Sequence, residues 1–320
     1  MKHSTTLLAC AAILALAAPA LAERELTFGL QDNEASNVYK GAQEFASKLE
    51  ELSGGELTVN LFPSSQLGDF KSMVAQLQAG ELDMVITGYP DMSYTIPELN
   101  LIGAPYVADD FDHLKEIIAG DWGQKMADKF REQGVELLDV WYYGTRQTTS
   151  NRAIESIEDM KGLRLRTPNV PFLIAYAENV GATPAPVAFA EVYLALQTNQ
   201  VDAEENPLPT IEAMKFYEVQ SHVAMTNHFI ASSALQMSKD LWDSLSDEEK
   251  GWVQEAAQAG GVLNNSLTEK AEEDLIATFE ERGLTITRPD LAPFRAAMQP
   301  YYDTLEDQFG EGAIARVRGE

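Results

Sequence analysis

The sequence predicts an α/β fold in two lobes, and three observations carry that prediction. Strand-like and helix-like segments alternate along the chain, which is the pattern of a sheet built from crossover units. A polar helical pattern runs from Glu248 to Arg282 without a proline, and about 35 residues of helix would span about 50 Å, longer than one ordinary domain. No internal repeat, low-complexity tract or long linker divides the 320 residues. Two lobes must therefore share several chain crossings, with the long helix running across both.

The elements follow in order. Leu26 to Leu30 is a short strand. Asn37 to Leu52 places Val38, Tyr39, Ala42, Phe45, Ala46 and Leu49 at helical spacing, and Gly54-Gly55 stops it. Glu56 to Phe62 alternates Leu57, Val59 and Leu61 on one face, as a strand does. Phe70 to Gly80 is predicted as a helix and Leu82 to Thr87 as a buried strand. Val135 to Tyr143 and Leu163 to Thr167 are strands. Phe172 to Val180 and Glu191 to Thr198 are helices. Gly260-Gly261 interrupts the long pattern, so two shorter helices meeting there are the alternative to one. Leu284 to Thr287 is a late strand and Pro293 to Gln308 a last helix.

Residues 1–22 read as a secretory signal: Lys2, an apolar core from Leu7 to Leu16, and the small-x-small site Ala20-Leu21-Ala22 before Glu23. The apolar run is short of the roughly 20 residues a membrane span needs. Leu7-Leu8-Ala9-Cys10 also has the form of a lipoprotein site, but cleavage there would leave almost no apolar core before the cysteine. Cleavage after Ala22 would leave 298 residues without Cys10, the chain's one cysteine, hence no disulfide, thiol nucleophile or thiolate metal site. It would also remove one lysine and no acid, taking the net charge from −27 to −28. Such a charge argues against nucleic-acid and anionic-membrane binding, both of which need a basic face. Salt screens exposed charge beyond about 8 Å, so a local basic pocket can still take an anion.

Two arginine stretches stand out in this acidic chain, Gly144-Thr145-Arg146-Gln147-Thr148-Thr149-Ser150-Asn151 and Lys161-Gly162-Leu163-Arg164-Leu165-Arg166-Thr167-Pro168-Asn169. Arg146 and Arg166 fall at or just past predicted strand ends, where α/β sheets bind ligands. Arginine offers a planar fork that meets a carboxylate with two parallel hydrogen bonds. The competing role is a surface arginine paired with one of the many acids; Arg164 and Arg152 are assigned to it, and Arg166 taken alone fits either. Asn206, held before Pro207, is a candidate amide contact or a turn residue. Phe189 is a candidate ligand wall or a core side chain. Beyond the leader, the histidines His113, His222 and His228 form no HExxH pattern, and there is no GxSxG elbow, GxGxxG loop or P-loop. No cofactor or metal is expected, and a hydrolase or lyase acting on acidic sugars is the weaker reading.

Several segments resemble the DctP-type solute-binding proteins of TRAP transporters. They are Phe62-Pro63-Ser64-Ser65-Gln66-Leu67-Gly68, Gly144 to Asn151, Asp159 to Arg166, Phe189 to Asn199, Glu205-Asn206-Pro207 and Lys215 to Gln220. The likeness covers the chain after the leader in order, and its wording is nearest the sialic-acid branch. The resemblance implies a periplasmic, two-lobed binding protein of type II-like fold, with mixed sheets flanked by helices. Such a protein closes over an organic anion and passes it to an ion-gradient-driven membrane permease. It implies Arg166 as the principal carboxylate clamp, Arg146 as a second pocket arginine, Asn206 as a cap, Phe189 as a wall and Asn169 as a polar contact. Asp202-Ala203-Glu204-Glu205 departs mildly from the family's Asp-Gly-Gln-Glu.

Two departures bear on the ligand. Gln31 stands where the sialic-acid branch has Asn after the first strand. Gly88, followed by Tyr89, stands where it has Glu after the third. Gln31 and Tyr89 are therefore the first-lobe candidates. Another sugar acid, or a smaller carboxylate or dicarboxylate, becomes at least as good a ligand as sialic acid. The expected lobes are 23–143 with 232–271, and 144–231 with 272–320. A carboxylate would engage Arg166 and Asn206 first, and residues 31–37 and 88–91 would fold over it. A ligand-presenting sensor would use the same closure.

Overall fold

The computed structural model describes residues 24–320. The expected leader, 1–22 with Cys10, lies outside the described residues. Nine strands form among the described residues: β1 (Arg24–Leu30), β2 (Leu57–Phe62), β3 (Met84–Gly88), β4 (Val135–Ser150), β5 (Arg164–Thr167), β6 (Thr183–Pro186), β7 (Ala203–Pro207), β8 (His222–Ser238) and β9 (Thr285–Thr287). They pair in the order β2-β1-β3-β8-β4-β7-β5-β6, with β9 beside β8. At one end β1 is parallel to β2 and β3; at the other β5 is parallel to β6 and β7. The antiparallel pair β4–β8 joins the two ends. This is the mixed, helix-flanked sheet of a two-lobed protein.

β4 is longer than its sequence pattern suggested, and β8 had no strand expectation. β4 runs 16 residues and β8 runs 17. Arg146 consequently lies inside β4 and not at its end. Strand periodicity broke off at Tyr143 because β4 is irregular there. Its register against β8 shifts at Tyr142/Gly144 and again at Arg146/Thr148, and Gly144 adopts φ 120°. A side chain at Gly144 would lie 2.6 Å from Pro207 Cβ, so both the backbone angle and the space exclude one.

Local sequence explains the helices that flank the sheet. Helix Asn37–Ser53 starts where Ser36 Oγ accepts the Tyr39 N–H and ends at left-handed Gly54. Its buried face, Val38, Ala42, Phe45 and Leu49, repeats at helical spacing. Phe45 meets Phe28 of β1 edge to face at 6.0 Å. Burying each large apolar side chain contributes about 1.5–3 kcal/mol, so Phe45→Ala would cost about 3–5 kcal/mol.

The long helix forms as one piece, Asp247–Glu281, opened by a capping box between Ser246 and Glu249. It does not break at Gly260-Gly261. A side chain at Gly260 would lie 2.6 Å from the Gly41 carbonyl oxygen, and one at Gly261 would lie 2.8 Å from the Trp141 ring. The glycines permit close packing on buried Trp141 at a helix cost of about 1 kcal/mol each. Val253, Ala256 and Ala257 join the core around Phe28, Phe45 and Met237. Phe279 joins a separate core around Val192, Leu208 and Phe216. One helix thus serves both lobes.

Residues 88–134 were assigned no helix or strand from sequence and fold as a 3₁₀ turn, Tyr89–Tyr94, with helices Leu99–Gly103, Phe111–Ala119 and Asp121–Glu132. The expected last helix is divided into Ala292–Ala297 and Gln299–Phe309, followed by Ala313–Arg318. Pro300 starts the second of these, where the N–H it lacks is not needed. Leu305, Ala313 and Val317 pack with Leu99, Phe111 and Phe130. No helix among the described residues is long and apolar enough to cross a membrane.

Candidate ligand-binding site

The carboxyl ends of β1, β3, β5, β6 and β7 converge on one cavity of about 260 Å³, as expected for ligands in open α/β sheets. From the segment just after β1 it takes Gln31 and Asp32, from the end of β3 Gly88, and from the turn that follows Pro90 and Asp91. Arg166, Pro168, Asn169, Val187, Phe189 and Asn206 come from the other half. Tyr143 and Arg146 of β4 and Phe229 of β8 line the space between.

Of the seven residues singled out from sequence, six meet here: Arg166, Arg146, Asn206, Asn169, Phe189 and Gln31. Tyr89 does not. Its ring is fully buried and stacks on Phe130 at 5.8 Å. The 3₁₀ turn that begins at Tyr89 sends its side chain into the core and leaves Gly88 and Asp91 at the cavity. Neither Arg146 nor Arg166 is a surface residue, at 6% and 2% exposure. Arg164 and Arg152 do lie at the surface. Arg164 pairs with Asp202, Nε to Oδ2 at 2.9 Å, and Arg152 bonds the Asp159 and Lys161 carbonyls.

The two buried arginines differ in what they hold. Arg146 forks onto Glu205, with Nη2 donating to Oε1 at 2.8 Å and Nε donating to Oε2. The Glu205 carbonyl accepts a further bond from Nη2. Burial works against charge on Glu205, but Arg146 and His228 hold its carboxyl below the usual range. His228 reaches Glu205 Oε2 at 3.0 Å and stacks on Tyr176 at 4.0 Å. Arg146 is therefore paired with a carboxylate inside the protein.

Arg166 is not. Its Nε and Nη2 both donate to the Val187 carbonyl, at 3.0 and 2.8 Å. Nη1 is buried without a hydrogen-bond partner. Burial pushes the group down to about 10, still charged at neutral pH. The Phe189 ring lies 5.9 Å from the guanidinium carbon and packs edge-on against Phe216, so it is both wall and core. Asn206 donates one amide hydrogen to Glu204 at 2.6 Å. Burial raises Glu204 to about 7.

Sequence reasoning missed the acids of the first lobe. Asp32, Asp69 and Asp91 line the cavity with Lys71. The usable signal was position, since Asp32 lies two residues past the end of β1 and Asp91 three past the end of β3. In a chain with 50 acids no acid stands out by type. The aromatic lining of Tyr143, Phe172 and Phe229 carried no signal apart from core.

Comparison with known proteins identifies the family. A family described as bacterial extracellular solute-binding protein, family 7 (DctP), matches residues 28–308. The sialic acid-binding periplasmic protein SiaP of Vibrio cholerae is 44% identical over 96% of this chain and 96% of its own length. The 2,3-diketo-L-gulonate-binding periplasmic protein YiaO of Escherichia coli is 31% identical, over 93% of this chain and 92% of its own. A TRAP periplasmic solute-binding protein from Polaromonas, solved with D-erythronate bound, superposes with a TM-score of 0.88 at 29% identity, covering 92% of this chain and 98% of that one. Sequence, fold and cleft together assign the chain to the DctP family of bacterial extracellular solute-binding proteins: it is a TRAP-type binding protein and not an enzyme.

Proposed function

We propose that the protein captures an organic carboxylate in this cleft and delivers it to TRAP permease subunits in the membrane. The observation that carries the proposal is the unpartnered Nη1 of Arg166, a buried cationic donor on the cavity lining. Burying such a group unmet costs about 1–3 kcal/mol or more, and a ligand carboxylate removes that cost. Asn206 and Asn169 offer further polar contacts, Phe189 a wall, and Arg146 a fixed positive neighbour. The relatives' ligands, sialic acid, 2,3-diketo-L-gulonate and D-erythronate, all bear a carboxylate and hydroxyls. A sugar acid is therefore the leading ligand class, with a small carboxylate or dicarboxylate next.

The working cycle is hinge closure between lobes. The first lobe takes residues 23–143 and 232–271 and the second 144–231 with the end of the long helix. Because Leu305, Ala313 and Val317 pack with Leu99, Phe111 and Phe130, residues 299–320 are counted with the first lobe. Tyr142 and Thr145, beside the irregular turn of β4, both bond Glu272 of the long helix, each at 2.6 Å. The irregular strand and the long helix therefore meet in one contact, which suits a hinge. Residues 1–22 act as a cleaved signal that delivers the protein to the periplasm.

Arg166→Ala tests the proposal. Titration calorimetry with the best acid from a thermal-shift screen should show affinity falling at least a hundredfold, while melting without ligand changes little. In the screen, a ligand at 100 times its Kd adds about 2.7 kcal/mol. Stabilisation by neutral solutes alone, or unchanged affinity in Arg166→Ala, would remove the carboxylate reading.

A further inference from the structure

The cavity is charged at both sides, and the two sides have opposite unpaired charge. On the second-lobe side Arg166 has a buried nitrogen without a partner. On the first-lobe side Asp32, 9% exposed, accepts one hydrogen bond, from Tyr143 Oη to Oδ1 at 3.0 Å. Asp91 accepts one, from the Gly88 N–H to Oδ2 at 3.1 Å. Among the described residues no cation lies within salt-bridge distance of either; every ion pair within 4.0 Å is formed elsewhere. Asp69, also on the lining, is partly engaged as the cap of helix Phe70–Gln78 through the Ser72 N–H at 2.8 Å. Lys71 is the one first-lobe cation on the lining, and its ammonium lies over the Phe70 and Tyr94 rings at 5.7 Å.

A plain organic anion fits this arrangement poorly. Arg146 is already neutralised by Glu205. Setting it aside, and also Asp69, which is exposed to solvent, the lining offers Arg166 and Lys71 against Asp32 and Asp91, with Glu204 just behind Asn206. A bound monoanion would satisfy Arg166 and leave a net negative surplus closed off from water. Buried charge without a partner is costly, and the cost is met by a counter-charge or by a proton. Burial already raises Asp32 to about 6, and raises Asp91 to about 7 against the opposing pull of Arg146, Lys71 and Arg166; neither carboxylate has a cation in direct contact. β1 and β3 stand on one side of the central β8–β4 pair and β5 on the other, so the two charged ends face the cleft from different lobes.

We infer that the ligand is a zwitterion, with a carboxylate held by Arg166 and a protonated amine, remote from it, held by Asp32 and Asp91. The class is an ω-amino acid or a sugar acid carrying an amine on its distal carbon. This rests on the carboxylate reading of Arg166 and adds to it the charge of the far end. Closing the lobes would bring each end of the ligand to its own lobe, so neither charge alone would hold the cleft shut.

Matched probes separate the two readings. The full-length secreted protein is titrated at pH 7.5 with 6-amino-6-deoxy-D-gluconate against D-gluconate, and with 4-aminobutanoate, 5-aminopentanoate and 6-aminohexanoate against their ω-hydroxy counterparts. The amine should bind at least tenfold more tightly than the hydroxy acid in the sugar-acid pair or in one chain-length pair, and Asp32→Asn with Asp91→Asn should erase that preference. The wild-type comparison stands even if the double variant fails to fold. If hydroxy acids bind as well as amino acids, taking up a proton as judged by titration in buffers of different ionisation heat, the zwitterion is overturned and the carboxylate clamp stands. If no acid of either series binds, the clamp itself fails and the zwitterion with it.

Discussion

Arg146 and Arg166 flank the same short strand, β7, from β4 and β5, and both are buried, yet they do opposite things. Arg146 is closed by Glu205, which gives it both carboxylate oxygens and its carbonyl. Arg166 spends two nitrogens on one carbonyl and keeps the third unmet. A buried arginine already paired with an internal carboxylate is structure. One held in position by a carbonyl, with no carboxylate of its own, is, under the proposed function, prepared for a carboxylate that comes from outside. Residue type and burial are alike in the two; only the partners tell them apart.

The largest way to break the contrast is to free Arg146. Glu205→Ala leaves Arg146 buried without its carboxylate and His228 without its acceptor. Removing one member of a buried ion pair costs about 3–5 kcal/mol. Chemical denaturation should register that loss with no ligand present. A cost under about 1 kcal/mol would mean that Arg146 does not depend on Glu205.

Arg166→Lys sharpens the contrast from the other side. Lysine keeps the charge but cannot both fork onto Val187 and present a fixed nitrogen to the cavity. Affinity for a carboxylate should fall about 10- to 100-fold by calorimetry, with ligand-free stability near wild type. Equal affinity would show that charge, not geometry, makes the clamp.

Much of this was legible in advance, and the gaps have physical causes. Periodicity located the helix of Phe45, the strand of Leu57 and the long helix, because each has one apolar face and a clear end. It lost β4 after Tyr143, where a register shift at Gly144 breaks the alternation, and so Arg146 seemed to sit at a strand end. Motif resemblance brought six site residues together. It failed at Tyr89 because a 3₁₀ turn decides which side of the chain faces the cleft, and adjacency in sequence does not carry that information. Asp32 and Asp91 were invisible in a chain this acidic. Their role depends on which acids lack a cation, which only packing reveals. The Arg146–Glu205 pair was likewise unreadable, since it needs the pairing of β4 with β7.

Glu204 lies under the influence of both arginines and gives a smaller, pH-dependent test. Burial raises its pKa from 4.5 to about 7, so the folded protein holds this proton more tightly than the unfolded chain does. The stabilising contribution is present below about pH 4.5 and is lost as pH rises through about 7. Glu204→Gln cannot ionise and lacks that slope. Its fit against Thr149 Oγ1 and Asn206, which both donate to Glu204, shifts stability by an amount independent of pH. The stability difference, variant minus wild type, should therefore rise by roughly 1–3 kcal/mol between pH 5 and pH 8. A flat difference would mean Glu204 is ionised throughout, sharing the two arginines with Glu205.

The smallest expected effect belongs to Tyr89, which separates the walls of the cleft from the core behind them. Its hydroxyl is buried without a hydrogen-bond partner among the described residues, and burial raises its pKa well above the usual value. Tyr89→Phe keeps the ring on Phe130 and removes the hydroxyl. Deleting an unpaired buried hydroxyl is neutral or stabilising, within about 1 kcal/mol. The melting temperature should hold or rise slightly, and affinity for any acid should match wild type within about twofold, a difference of about 0.4 kcal/mol. A tenfold loss of affinity would return Tyr89 to the ligand's surroundings and require the turn at Gly88 to swing when the lobes close. Unchanged affinity, set beside the loss in Arg166→Ala, would locate recognition in the lining residues alone.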